Sequence, residues 1–290
     1  MKCVAVDDAL LRSWPLPAPD AEGDKESRGR VLVIAGSREI PGAAVLAATA
    51  ALRAGAGKLL VATPRSAWQV VSAALPEARV IGLPETDKGG VRPEAIELLA
   101  SCGDSTAAVL VGPGMMDEDA TASFVQALLP HFRRATVVLD ALGMECARGG
   151  TRFAQPVILT PHAGEMAHLT GDDKEDLQSD PVACAQRHAR EWQVVLALKG
   201  ATTCIATPEG KAWRHEAQTP GLGTSGSGDV LAGLIAGLAA RGAAPEQAVV
   251  WGVALHARAG EALERRLGKV GYLARELAAE IPALLDALGP

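Results

Sequence analysis

The sequence predicts an α/β fold of three layers, in which a mostly parallel central sheet is flanked by helices. Short runs of β-branched and aliphatic residues alternate with amphipathic stretches of helix length along most of the chain. This alternation is typical of a parallel sheet that is covered on both faces. The chain has 290 residues, of which 48% are hydrophobic and only 3% are aromatic, so we expect one large aliphatic core.

Eight short apolar runs, bounded by glycine-rich or polar segments, predict the strands. They lie at residues 31–35, 58–62, 79–81, 108–111, 136–139, 157–159, 194–198 and 203–206. Amphipathic stretches between them predict helices at residues 43–54, 66–75, 93–100, 119–129, 181–192, 228–241 and 245–267. Residues 1–29 are predicted to be an irregular lead-in, because proline and charge are concentrated there, and residues 30–290 are predicted to form a single domain.

Composition and charge argue against several classes of function. The formal net charge is −6 and the basic residues are scattered, which is not typical of a protein that binds nucleic acid. No apolar run has the length of a signal peptide or of the roughly 20 residues that span a bilayer. The five cysteines show no zinc-ligand spacing, so we expect reduced thiols in the core. We therefore expect a cytoplasmic protein that binds neither nucleic acid nor membrane.

The most informative segment runs from Gly221 to Asp229 and leads into an apolar helix. Its four glycines allow main-chain N–H groups to face an anion at the helix N-terminus, where the helix dipole favours negative charge. Phosphate is the expected anion, and a carboxylate beside it would act as a base. The alternative interpretation is a flexible loop in which Asp229 is an ordinary helix cap.

The other candidate residues lie in loops that follow predicted strands, at the edge of the sheet where α/β proteins bind ligands. They are Gly114, Asp140, His162 and Lys199. Gly114 and Lys199 are candidates for phosphate contact, and Asp140 is a candidate for a position near a metal-bound phosphate. Each also has a structural interpretation: a tight turn, a cap, an ordinary histidine or a hairpin turn. Glu165 could cap the helix that follows His162.

In this order, the segments resemble the ribokinase-like superfamily and, within it, the ADP- or ATP-dependent NAD(P)H-hydrate dehydratases. The resemblance rests on residues 31–37, 42–57, 112–114, 159–166, 198–203 and 226–233. The Thr-Pro-His-x-Gly-Glu and Arg-Ala-Gly-Ala-Gly stretches are typical of the dehydratases, whereas the Gly-Ser-Gly-Asp stretch is shared across the superfamily. The resemblance implies a three-layer ribokinase-like fold and a single ribokinase-like catalytic domain in residues 30–290.

The resemblance implies a hydro-lyase that restores the hydrated forms of NADH and NADPH. The terminal phosphoryl group of ADP or ATP would pass to the hydroxyl of the hydrated ring, and loss of phosphate would regenerate the dihydronicotinamide. Asp229 would be the catalytic base. The hydrated substrate would contact Ala43, Gly114, His162 and Asp229. The adenine nucleotide would contact Lys199, Gly200, Ala201, Thr202, Thr203, Gly226 and Gly228.

The resemblance also implies Mg²⁺ with the nucleotide, K⁺ as a further candidate cation, and a homo-oligomer, with a tetramer as the expected form. The sequence assigns no metal ligands. About 30 residues before the domain are too few for the epimerase domain that often accompanies this family. We therefore expect a separate NAD(P)H-hydrate epimerase as a functional partner.

The sequence departs from the family pattern at two places. Asp140 is followed by Ala141 and Leu142, where the family usually has Asp-Ala-Asp-Ala-Leu, so one acid is absent. Residues 220–225 replace the usual Asn- and Met-containing approach to the glycine loop. Two other functions therefore stay open: a ribokinase-like kinase of a sugar or hydroxymethyl heterocycle, and a non-catalytic nucleotide sensor.

Overall fold

A central sheet of ten strands organises the chain in the computed structural model, which describes residues 3–18, 22–217 and 219–288. The strands are β1 (Val4–Ala5), β2 (Arg30–Ile34), β3 (Lys58–Pro64), β4 (Arg79–Leu83), β5 (Ala108–Val111), β6 (Thr136–Leu139), β7 (Val157–Leu159), β8 (Val195–Leu198), β9 (Thr202–Ala206) and β10 (Ala212–Glu216). Their order in the sheet is β1-β10-β9-β8-β7-β6-β5-β2-β3-β4. Only β9 runs antiparallel to its neighbours within the described sheet, so the predicted mostly parallel sheet is confirmed.

Helices cover both faces of this sheet. They are α1 (Asp8–Ser13), α2 (Pro41–Arg53), α3 (Trp68–Ala74), α4 (Glu118–Leu128), α5 (Ala163–Thr170), α6 (Lys174–Ser179), α7 (Pro181–Trp192), α8 (Ser227–Ala240), α9 (Pro245–Leu267) and α10 (Ala274–Leu288). Short 3-10 helices lie at Pro93–Leu98, Ala100–Ser105, Leu129–His131, Ala141–Ala147 and Pro220–Leu222. No helix in the described ranges combines the length and apolar character needed to cross a membrane.

Alternating side chains along each strand form two apolar cores, one on each face of the sheet. In β2, Val31 and Val33 belong to the core under α2, α8, α9 and α10, whereas Leu32 and Ile34 belong to the core under α4, α5 and α7. All four side chains are fully buried. A strand that is buried on both faces appears in sequence as a continuous apolar run. The predicted three-layer arrangement is confirmed.

Helix α8 lies within one of these layers and is enclosed on nearly every side. Twelve of its 14 residues are buried, and the two exceptions, Gly228 and Asp229, are in its first turn. It packs against α2, α9, α10 and the strands β2, β5 and β6. Gly233 allows α2 to approach closely, because a Cβ there would lie 2.8 Å from the Cα of Ala47 and closer still to its carbonyl oxygen. The core therefore fixes where the N-terminus of α8 lies.

The prediction of an irregular lead-in at residues 1–29 is wrong for its first part. Strand β1 pairs in parallel with β10, and α1 buries Leu11 completely. The ring of Trp14 stacks on Trp213 at a centroid distance of 5.8 Å, and its carbonyl oxygen accepts a hydrogen bond from Trp251 Nε1. These partners are about 200 residues away in sequence, so no local pattern announces them. Residues 1, 2 and 19–21 lie outside the described residues.

The sequence patterns also missed β10, α6 and α10. Strand β10 contains Arg214 and Glu216 and has no apolar run, while Pro282 stands inside α10, where proline normally ends a helix. The helix predicted at residues 93–100 is instead a pair of 3-10 helices. Short elements with mixed polarity give weak periodic signals.

Replacing Gly233 with alanine should destabilise the fold, because the new methyl group would collide with the main chain of α2. Overpacking of this kind costs about 1–3 kcal/mol. We expect urea denaturation to show a loss of that size in the free energy of unfolding. Gly42→Ala in the first turn of α2 is the matched control, since nothing lies within 4 Å of a Cβ there. Equal stability of the two variants would contradict the close contact of α2 and α8.

Candidate active site

The predicted site residues converge where the carboxyl ends of the central parallel strands meet the N-terminus of α8. Asp140 follows β6, His162 follows β7 and Lys199 follows β8. A Cβ placed on Gly228 would lie 3.7 Å from Lys199 Nζ, so the glycine loop directly faces the lysine. The fold therefore brings together residues that are up to about 90 positions apart in sequence.

A buried ion pair lies at the centre of this region. Lys199 Nζ is 2.9 Å from Asp140 Oδ1 and 3.8 Å from Glu165 Oε2. Thr160 Oγ1 donates a hydrogen bond of 2.7 Å to the same oxygen of Asp140. Burial acts to lower the pKa of Lys199, but the carboxylates of Asp140 and Glu165 outweigh it and the pKa is raised. The ammonium group of Lys199 is therefore a stable positive charge beside the glycine loop.

Asp229 lies in the first turn of α8 and is largely buried. Burial raises its pKa to about 6; the carboxylate of Asp140 adds to this rise, and Lys199 opposes it. The cap position of α8 is Gly226, with a φ of +85° that favours glycine, and no side chain caps this helix. The interpretation of Asp229 as an ordinary helix cap is therefore wrong. A carboxylate with a pKa near neutrality suits proton abstraction.

Two main-chain donors at the same helix end have no acceptor. Within the described residues, neither the N–H of Gly228 nor that of Asp229 makes a hydrogen bond to another protein group. Unpaired N–H groups at a helix N-terminus, together with the helix dipole, bind anions. Gly228, Asp229 and the ammonium of Lys199 thus form a cradle whose donors and positive charge suit an anion.

A cavity of about 690 Å³ opens beside this cradle. Six predicted site residues line it: His162, Lys199, Gly200, Ala201, Thr203 and Gly228. Much of its remaining wall is apolar and comes from the end of β10, the 3-10 helix at Pro220–Leu222, α8 and α9. The other lining residues are His215, Ala217, Thr219, Pro220, Leu222, Gly223, Thr224, Ser227, Leu231, Val253, His256 and Ala257. The volume is in the usual range for a small-molecule pocket.

Two of the predicted nucleotide-binding residues are absent from this lining. Thr203 faces the cavity, and because side chains alternate along a strand, the side chain of Thr202 points to the opposite face of β9. A contact between the Thr202 side chain and a ligand in this cavity is therefore not expected. Gly226 shapes the turn into α8, and a Cβ there would lie 2.5 Å from Leu46 Cδ1 of α2.

Ala43 and Gly114, the first two predicted substrate contacts, lie side by side outside this cavity. A Cβ on Gly114 would be 2.5 Å from that of Ala43. Ala43 belongs to α2, whose Leu46 borders the turn at Gly226. The first turn of α8 therefore has the Ala43–Gly114 contact on its α2 side and the cavity on its Lys199 side.

His162 caps α5 in a reciprocal capping box. Its Nδ1 accepts hydrogen bonds from the N–H groups of Gly164 and Glu165 at 3.0 and 3.1 Å. Glu165 Oε2 in turn accepts a hydrogen bond of 2.7 Å from the N–H of His162, as its predicted capping role implied. Because Nδ1 is an acceptor, the neutral ring carries its proton on Nε2. The imidazole can therefore offer an N–H donor to a ligand.

The sequence analysis missed two histidines of the cavity wall. Burial lowers the pKa of His256 to about 4, and its Nε2 lies 3.0 Å from Ser227 Oγ. Burial also lowers the pKa of His215 on β10. Neither residue belongs to a motif or follows a predicted strand, so no sequence signal could find them. Burial thus disfavours the charged form of both rings, and Lys199 is the lysine of the described cavity lining.

Two carboxylates of the site fit a divalent cation that accompanies a nucleotide. Asp140 uses Oδ1 for Thr160 and Lys199, and Asp229 lies beside it; Mg²⁺ is often held by one or two carboxylates together with phosphate oxygens. One compact cluster of three metal-ligand side chains, Glu118, Glu145 and His168, occurs in the described residues and lies outside this cavity lining.

The layered fold, with its loops at the carboxyl edge of the sheet, is ribokinase-like. A ribokinase-like superfamily protein from Enterococcus faecalis has the same fold, with a TM-score of 0.85 and 24% identity over 99% of this chain and 96% of that one. The chain belongs to the NAD(P)H-hydrate dehydratase family, whose model matches residues 31–283. The predicted fold class and family are confirmed.

Three relatives illustrate this membership. The ADP-dependent (S)-NAD(P)H-hydrate dehydratase of Xanthomonas campestris pv. campestris is 48% identical, over 98% of this chain and 96% of the relative. The structure of the ADP/ATP-dependent NAD(P)H-hydrate dehydratase from Bacillus subtilis, co-crystallised with ATP and Mg²⁺, matches with a TM-score of 0.84 and 31% identity over 99% of both chains. The bifunctional NAD(P)H-hydrate repair enzyme Nnr of Moorella thermoacetica is 40% identical, and this chain spans 54% of its length.

Replacing Asp229 with asparagine should stabilise the fold at neutral pH. The pKa of Asp229 is about 6 in the folded chain and 3.8 in its ordinary state, so ionisation disfavours folding. This loss in the free energy of unfolding is absent below about pH 4 and grows as the pH rises to about 6. Above about pH 6 it reaches its full value of about 3 kcal/mol.

At about pH 7.5, well above the pKa of Asp229 in the folded chain, we expect urea denaturation to show a higher free energy of unfolding for Asp229→Asn than for the wild type. At about pH 4 this difference should vanish. Asp87→Asn, at an exposed carboxylate, is the control and should show no such pH-dependent gain. A variant at position 229 that matches the wild type at both pH values would contradict the burial of an ionised carboxylate.

Proposed function

We propose that this chain uses ADP or ATP to dehydrate the hydrated forms of NADH and NADPH, and so restores the dihydronicotinamide ring. Membership of the NAD(P)H-hydrate dehydratase family supports the reaction. The observation that carries the proposal is the position of Asp229, a carboxylate with a pKa of about 6, on the same helix turn as two unpaired N–H groups and close to Lys199. One turn of α8 thus supplies both a base and an anion-binding site.

The cavity of 690 Å³ fits the adenine nucleotide. Its apolar wall, which includes Leu222, Leu231 and Val253, suits a base and ribose, and the cradle at Gly228 suits the phosphates. Lys199 would neutralise phosphate charge, and the hairpin through Gly200, Ala201 and Thr203 would border the phosphate chain. We therefore propose that these residues contact the nucleotide.

The hydrated substrate would bind on the other side of the same turn, against Ala43 and Gly114, with His162 as a donor. Asp229 would take the proton of the ring hydroxyl as the hydroxyl oxygen attacks the terminal phosphorus of the nucleotide. The bond from that phosphorus to the bridging oxygen would break and release the shortened nucleotide. The new phosphate ester would then leave from the ring as phosphate while a neighbouring carbon loses a proton, which restores the double bond.

A carboxylate of the chain would bind the metal ion that accompanies the nucleotide. Asp140 would hold Mg²⁺ with the nucleotide phosphates, and the bound cation would neutralise charge that develops on the phosphoryl group. K⁺ as a further cation, a homo-oligomer with four subunits, a cytoplasmic location and a separate epimerase partner stay predictions of the family resemblance.

The Asp229→Asn variant should retain nucleotide binding and lose most turnover. Removal of a general base lowers rates by about 10²- to 10⁴-fold, whereas the main-chain donors of the cradle stay in place. Recovery of dihydronicotinamide absorbance from hydrated NADH with ADP or ATP measures turnover, and calorimetric titration measures the Kd for ADP. Asp286→Asn, at an exposed site on α10, is the control.

Near-normal turnover of Asp229→Asn would contradict the assignment of the base. With the wild-type chain, a stable phosphoester of a sugar or hydroxymethyl heterocycle would favour a kinase, and nucleotide binding without phosphate release from any hydrate would favour a sensor.

The pH dependence of kcat/KM should change when the carboxylate of Asp140 is removed. Since a base with a pKa of about 6 must be ionised to act, kcat/KM of the wild type should fall as the pH drops below about 6. Asp140→Asn removes the carboxylate that helps to raise the pKa of Asp229, so the acid limb should move to lower pH. Asparagine can still accept the hydrogen bond from Thr160.

Glu165→Gln is the matched control, because it removes a carboxylate that pairs with Lys199 but does not contribute to the shift at Asp229. An acid limb that stays in place in Asp140→Asn, or moves equally in Glu165→Gln, would contradict the proposed coupling.

A further inference from the structure

A second cavity, of about 510 Å³, lies at the end of the sheet opposite to Asp229. There the neighbouring parallel strands β2, β3 and β4 all begin with a cationic residue: Arg30, Lys58 and Arg79. All three residues line the cavity. Arg30 and Lys58 are direct partners in the register of β2 and β3. Like charges placed opposite each other on neighbouring strands destabilise a sheet, so this arrangement requires another explanation.

Lys25 and Arg28 add two more positive charges from the turn that precedes β2. Asp24 Oδ1 fixes this turn by accepting hydrogen bonds of 2.8 and 3.2 Å from the N–H groups of Glu26 and Ser27. The N–H of Gly57 donates to the carbonyl oxygen of Arg28 at 3.1 Å and so ties the turn to the start of β3. The two cations are therefore held beside the strand ends by the main chain.

These five residues, Lys25, Arg28, Arg30, Lys58 and Arg79, form what we term the basic pocket. Within the described part of the chain, Glu77 is the acidic residue of its lining, and it makes no ion pair with any of the five. Lys58 contacts Glu26, and Arg30 donates a hydrogen bond of 2.6 Å to the neutral hydroxyl of Ser105. Among the described residues, most of the positive charge of the pocket therefore has no acidic partner in an ion pair, although the chain as a whole carries a net charge of −6.

The floor of the basic pocket is apolar, with Leu52, Leu59 and Leu60 beneath the charged rim. A cavity of this volume is large enough for a small organic molecule. Because the cations come from three strands and a turn, they can reach two phosphate groups of one ligand at the same time. Guanidinium groups bind phosphate through paired hydrogen bonds, and an apolar floor suits the organic part of such a ligand.

We propose that the basic pocket binds a small organic compound with two phosphate groups, at a site separate from the one at Asp229. Nothing in this proposal depends on the proposed dehydratase activity. The ligand would compensate the repulsion between Arg30, Lys58 and Arg79, and would lie across the amino ends of β2, β3 and β4.

Calorimetric titration of the full chain with fructose 1,6-bisphosphate and, separately, with inorganic pyrophosphate tests the proposal. Arg28→Gln/Arg79→Gln removes two charges from the pocket while the side chains keep much of their length. We expect Kd to rise about 10-fold or more, since hydrogen bonds to charged groups are worth about 1.5–3 kcal/mol each. Arg134→Gln/Arg152→Gln, at exposed arginines outside the pocket, is the control with the same change in net charge and should leave Kd unchanged.

Thermal denaturation gives a second readout that does not rely on affinity. Without added anion, Arg28→Gln/Arg79→Gln should be at least as stable as the wild type, because like-charge repulsion is reduced. Pyrophosphate should raise the Tm of the wild type and of the control pair by more than that of the pocket variant, because any binding at Gly228 and Lys199 is common to all three proteins.

Activity of the pocket variant with ADP should stay at the wild-type level, which separates this site from the one at Asp229. Tighter binding of the bisphosphate than of pyrophosphate would support contacts of the pocket to the organic part of the ligand, and the reverse order would overturn the organic part of the proposal. Failure of both probes to bind, or equal Kd values for the wild type and the pocket variant, would overturn the whole of it.

Discussion

The enclosure of α8 is the constraint on which the rest of the site depends. Its buried residues contact the sheet and three helices, so its axis cannot shift without disturbing the core. The two residues of this helix that are only partly exposed, Gly228 and Asp229, lie where the parallel strands end. The unpaired N–H groups and the carboxylate are thus held in position before any ligand arrives. Electrostatic groups that need no reorganisation are the most effective in catalysis.

The ion pair of Asp140 with Lys199 affects the charge of two groups in the proposed reaction, the ammonium of Lys199 and the carboxylate of Asp229. An isolated buried ammonium would tend to lose its proton, and the carboxylate of Asp140 keeps Lys199 charged. The same carboxylate raises the pKa of Asp229, so the base is strengthened by the group that maintains the cation. The hydrogen bond from Thr160 holds Asp140 in place for both tasks.

The strands and the loops that follow them could be predicted because their signals are local. Residues 108–111 and 136–139 are apolar runs that match β5 and β6, and Asp140 and Lys199 directly follow such runs. Strand β1, by contrast, has two residues and exists through its pairing with β10. His215 and His256 join the cavity from β10 and α9, whose sequences carry no motif for a ligand. Contacts between distant segments leave no local pattern, and these are the features that the sequence could not supply.

The contact between α2 and α8 also bears on how sequences of this family can change over time. Gly233 and Gly237 are one helical turn apart on α8, and both face the main chain of α2 at Ala47 and Ala51. Neutral drift at these two positions is blocked by steric exclusion, even though neither touches a ligand. A homologue that acquires a larger residue there would need a compensating shift of α2, and with it of Ala43. If such glycines are invariant among homologues, close helix packing is enough to explain it, and the invariance would not by itself identify a catalytic role.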